Sequence, residues 1–102
     1  MTRQEIYDVI LAEAYQTVRE QGFMFAPLAE KQLKELIYTG VFYTMTDGEI
    51  LDERKIEEAQ TNIRLICNEL CRHSRVRQSG RIVEVRTFTE VRFRFCPRYP
   101  FC

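Results

Sequence analysis

The feature that most constrains this chain is a change of hydrophobic period near Ser74. Before it, apolar residues recur at steps of three and four. Ile56, Ala59, Ile63, Ile66 and Leu70 follow one another at spacings of 3, 4, 3 and 4, a narrow stripe along one side of a helix. After it, "RVRQSGRIVEV" alternates apolar with charged residues, the period of a half-buried strand. A chain that coils first and becomes a ribbon later must cover one face of each with the other. The pattern therefore predicts an α+β fold: three N-terminal helices packed on a small C-terminal antiparallel sheet, either a hairpin or a three-stranded meander.

The individual elements follow from local chemistry. Helices are expected over about residues 3–21, 28–45 and 53–72, and strands over about 74–78, 81–86 and 90–96. Thr2 and Glu5 form a T-x-x-E capping box at the start of the first helix. Gly22 suits its left-handed C-terminal cap, with Phe23 packing back on the last turn. "FMFAP" reads as an extended connector, because residues before proline avoid the α region, and Pro27 fits a first helical turn. "TDG" at 46–48 reads as a turn. Asp52 is the N-cap of the third helix, with Leu51 and Ile56 placed as a hydrophobic staple.

In the ribbon, Ser79-Gly80 is a two-residue hairpin turn that sets Val76 opposite Val83 and Arg75 opposite Glu84. Val76, Val83, Val85, Val91, Phe93 and Phe95 then form the packed side. The arginines form the other. One strand running from 81 to 95 would be about 50 Å long, so a further turn is expected near 87–89.

A length of 102 residues allows one core and one domain, spanning 1–102. No apolar run approaches the ~20 residues that cross a bilayer. The opening "MTRQEIYDVI" lacks the basic-then-apolar pattern of a secretory signal, which points to an intracellular, cytoplasmic protein without membrane attachment.

The zero net charge hides a split. Residues 1–63 carry six basic and twelve acidic groups, and residues 64–102 carry nine arginines, no lysine and three glutamates. Opposite halves of this kind suit docking between subunits or onto a partner.

Four cysteines invite a metal or redox reading. Cys67 and Cys71 lie one helical turn apart, and Cys96 and Cys102 bracket "PRYPF". Four thiolates would hold zinc tetrahedrally, yet neither spacing is that of a knuckle. Buried structural thiols are the leading reading, followed by disulfides, which are ordinary inside hyperthermophile cells and their viruses, and then by metal. His73 reads as a residue favoured by a helix C-terminus, and the Glu57-Glu58 and Asp52-Glu53 pairs as acids favoured by a helix N-terminus. Neither a phosphate loop nor a nucleophile elbow or zinc-hydrolase motif is present, so no enzymatic activity and no cofactor are expected.

The expected function is therefore binding. The leading reading is a small dimeric interaction protein that meets a partner protein through complementary charged surfaces, motivated by the heptad-like seam and the charge split. The alternative is nucleic-acid binding through Arg75, Arg77, Arg86, Arg92, Arg94 and Arg98, since guanidinium groups pair phosphates and stack on bases.

Overall fold

The computed structural model describes residues 1–73 and 75–85. Element order is α1 (Arg3–Glu20), β1 (Met24–Phe25), α2 (Pro27–Thr39), a π turn (Gly40–Thr44), α3 (Asp47–Leu51), α4 (Glu53–Arg72), β2 (Arg77–Gln78) and β3 (Arg81–Ile82). The α+β expectation holds in outline. The helix count and the sheet topology do not: the described residues form four α-helices and a mixed sheet of order β1-β3-β2.

Three departures have local causes. "FMFAP" is more than a connector. Met24 and Phe25 pair in parallel with Arg81 and Ile82, while β2 pairs with β3 antiparallel. The proline constraint that keeps this stretch extended also leaves its amides free to bond: the Met24 amide donates to the Gly80 carbonyl and the Ala26 amide to the Ile82 carbonyl. The sheet is mixed for that reason.

Second, the region around 46–48 is a helix start rather than a turn, since the Thr46 hydroxyl accepts the Glu49 amide and opens α3. Third, α3 ends at Leu51 and turns that side chain outward, 74% exposed, so the Leu51–Ile56 staple does not form. Ile50 enters the core in its place.

Other local rules are obeyed. The capping box at Thr2 and Glu5 is made in both directions. The Phe23 amide reaches the Val18 carbonyl and the Gly22 amide the Arg19 carbonyl, with Gly22 left-handed at φ 83°, which is a Schellman cap. Asp52 accepts the Arg54 amide at the start of α4.

The α4 stripe of Ile56, Ala59, Ile63, Ile66 and Leu70 is entirely buried, and it meets Ile6, Ile10, Ala14 and Val18 of α1. Leu33 and Ile37 of α2 complete the core. This seam is consumed inside the protomer, so it provides no apolar surface for a second chain.

The hairpin has the expected register, extended by a 2.7 Å bond from the Val83 amide to the Val76 carbonyl. Its expected two-sidedness holds for Val76 and Val85, which are buried, and for Arg75 and Arg77, which are exposed, and fails at Ile82. Ile82 has no exposed surface although it sits opposite Arg77, and cross-strand partners share a side. Both faces of the hairpin thus carry a buried residue, although Arg81 of β3 itself stays exposed. Val76 is fully buried on the other side, and Val83 is only half-buried. The strand expected over 90–96 and the turn near 87–89 lie outside the described residues.

Candidate interaction surface

The most unusual surface feature is a group of four rings where α1 meets the end of α2. Tyr38 is its hub. It stacks on Phe42 with centroids 4.4 Å apart and planes 19° from parallel. Tyr7 meets it edge-on at 6.3 Å and Tyr43 edge-on at 6.0 Å.

The geometry follows from the backbone. Positions 38 and 42 are four apart, and side chains at that spacing lie over one another on a helix. Position 43 would swing away on a regular α-helix. The π turn adds a residue, seen in the Met45 amide bonding back to the Gly40 carbonyl five residues earlier. Residues five apart then fall on one side, which brings Tyr43 to Tyr38.

Arg3, at the start of α1, holds this turn. Its Nη1 donates to the Val41 and Met45 carbonyls and its Nη2 to Asp47 Oδ1. A cation at a run of unpaired carbonyls satisfies acceptors that a helix end otherwise leaves open.

The rings are placed for contact. Tyr43 is 74% exposed and Tyr38 45%, whereas Tyr7 and Phe42 are half-buried beneath them. Beside them runs an open groove of about 440 Å³, with Tyr7 on one wall and Pro27, Lys31, Lys34, Glu35 and Tyr38 along the other. Lys34 and Glu30 pair across one helical turn at 3.4 Å. Rings at the centre and charges of both signs at the rim are the composition of a protein-binding patch.

The arginines are only partly gathered. Arg75 and Arg77 are exposed, as is Arg81 on β3. Arg77 also donates to the Cys71 carbonyl at 3.2 Å, closing the C-terminal end of α4. Arg86, Arg92, Arg94 and Arg98 lie outside the described residues.

Cys67 and Cys71 are free thiols buried in the core. Burial pushes the Cys67 thiol up to about 12, helped by Cys71 and Glu13, and burial raises Cys71 despite the opposing charge of Arg77. A thiol held in its protonated form is a poor nucleophile and a poor metal ligand. Among the described residues no group of three His, Cys, Asp or Glu side chains is placed to hold a metal. Cys96 and Cys102 lie outside them. His73 ends α4, 3.8 Å from Glu69.

Among the described residues Tyr15 is also perturbed. Burial first, and then the charge and hydrogen bond of Glu30, raise it to about 12. Among the described residues no helix is long and apolar enough to cross a membrane. No protein-family model, curated protein or solved structure matches this chain, so its function has to be read from its own residues.

The charge and period patterns pointed to the arginine ribbon and passed over the rings. The signal was present in "YTGVFYT", three aromatics in six positions at the end of a helix. Their alignment depends on a π turn, which hydrophobic periodicity does not announce.

Proposed function

We propose that this protein is a non-enzymatic interaction module that docks a partner protein on the Tyr7–Tyr38–Phe42–Tyr43 face. The supporting observation is the exposure of Tyr38 and Tyr43 together with their mutual packing. Rings that pack on one another present rigid area, which lowers the ordering cost of binding. Tyrosine is also among the side chains that most often dominate binding energy.

A partner-independent test is selection of a displayed random-peptide library on the folded protein. Binders should converge in sequence, and Tyr43→Ala or Tyr38→Ala should weaken them by about tenfold or more. Convergent binders indifferent to both substitutions would refute the reading.

A second reading keeps nucleic acid as the ligand of the arginine hairpin. It is supported by the exposure of Arg75, Arg77 and Arg81 on one short ribbon. It requires single-stranded oligonucleotide binding that falls steeply with salt and is weakened by joint replacement of these three residues with alanine. No binding at low salt ends it.

A further inference from the structure

We propose that the outward face of α4 binds a second copy of this chain, antiparallel, with Leu65 at the centre of the contact. The surface is separate from the aromatic face, so the two proposals stand or fall independently.

The argument starts from helix geometry. Seven residues make almost two turns, so Glu58, Leu65 and Arg72 lie in one row. All three are exposed, on the side of α4 away from its buried seam. Leu65 is 61% exposed and is the one large apolar side chain so exposed on this helix. The row therefore reads acid, apolar, base.

A two-fold axis through Leu65 makes such a row complementary to itself. Leu65 meets Leu65 of the second copy, Glu58 meets its Arg72, and Arg72 meets its Glu58. A parallel arrangement would set Glu58 against Glu58 and Arg72 against Arg72.

Charge beyond the row favours the same orientation. Glu53 and Glu57 are exposed at one end of α4, and Arg75 and Arg77 are exposed just past the other, where Arg77 bonds the Cys71 carbonyl. Antiparallel neighbours bring these ends together and also oppose their helix dipoles. Two neighbouring ion pairs leave the row free to do this. Arg64 on the flank is engaged by Glu13 at 3.0 Å, and Lys55 reaches Glu58 at 3.3 Å in an exposed pair too weak to withhold it.

One face of a 20-residue helix is about 30 Å long and falls short of the ~800 Å² per partner of a stable interface. The dimer is therefore concentration-dependent rather than obligate. Opposing charges set its register, as they set the orientation of paired helices generally.

The test is sedimentation velocity of the intact chain at concentrations on the order of 10 µM to 1 mM. Wild-type protein should shift from monomer to dimer across that range, and less so at high salt. Glu58→Arg and Arg72→Glu should each raise the self-dissociation constant by about tenfold or more, with unchanged circular dichroism. An equimolar mixture of the two variants should regain association, because the heterodimer restores both opposite-charge contacts.

Leu65→Ser, which adds no charge, should also weaken the dimer. A monomeric wild type, single variants that associate like wild type, or a mixture that stays monomeric would each overturn the proposal.

Discussion

The guanidinium of Arg3 donates to the Val41 carbonyl at 2.6 Å, joining residues 38 positions apart. With the further bonds to Met45 and Asp47, one side chain ties the first turn of α1 to the π turn that arranges the rings. Charged donors to otherwise open carbonyls contribute more than neutral ones.

Arg3→Ala should therefore cost about 1.5–3 kcal/mol, read as a lower urea midpoint at unchanged slope. Its near-ultraviolet tyrosine signal should weaken too, since the π turn loses its clamp. Arg3→Lys should recover only part of both, because an ammonium lacks the planar fork that serves three acceptors.

Gln32 provides a second test of a long-range polar contact. Its side-chain carbonyl accepts the Val85 amide at 2.8 Å in the interior, fixing the end of the ribbon to α2. Replacement by leucine keeps the volume and removes the acceptor, leaving a buried donor unmet. The expected cost is about 1–3 kcal/mol, with hydrogen exchange at Val85 accelerated well beyond that at Ile10 in the core. Equal protection of Val85 in both proteins would show that this bond contributes little.

These two contacts mark the boundary of what could be read from residues alone. Caps, the buried stripe of α4 and the hairpin register are encoded within a few positions of one another, where spacing fixes geometry. The parallel pairing of Met24–Phe25 with Arg81–Ile82 joins residues 57 apart, and no local pattern reveals it. For the same reason β3 looks like an edge strand until β1 is placed beside it. The seam was visible, but whether it faced another helix of the same chain or another chain depended on the position of α1. Tyr38, Phe42 and Tyr43 were visible as residues and hidden as a site, because their alignment requires the π turn.

Alkaline pH should destabilise the fold in a defined window. Cys67 ordinarily titrates near 9.0 and is held up to about 12 in the folded protein, chiefly by burial. Between those values the unfolded chain has released a proton that the folded chain retains, so stability is full below pH 9 and declines as pH rises toward 12. Tyr15, raised from 10.0 to about 12, acts in the same direction over the upper part of the window. Urea midpoints should be flat from pH 7 to about 9 and then fall. Tyr15→Phe should make the fall above pH 10 shallower, and Cys67→Ala should flatten its onset. Alkylation of Cys67 at pH 8 should be slow in native protein and fast in urea.

The hairpin turn offers the most local prediction. Ser79 and Gly80 both have positive φ, 51° and 78°, as a type I′ turn demands. Serine tolerates that region poorly, whereas asparagine adopts it readily and Asn-Gly is the preferred pair. Ser79→Asn should therefore stabilise the protein by a few tenths of a kcal/mol to about 1 kcal/mol. Gly80→Ala meets no clash, since the added Cβ makes only an ordinary contact, 3.7 Å from the Gly22 carbonyl oxygen. Its cost is thus conformational, about 1–2 kcal/mol for a side chain forced into the left-handed region. Because Gly80 also accepts the Met24 amide, strain at this residue should loosen the parallel β1–β3 pairing as well as the hairpin. Faster hydrogen exchange at Met24 in Gly80→Ala would show that coupling, and an unchanged rate would confine the effect to the turn.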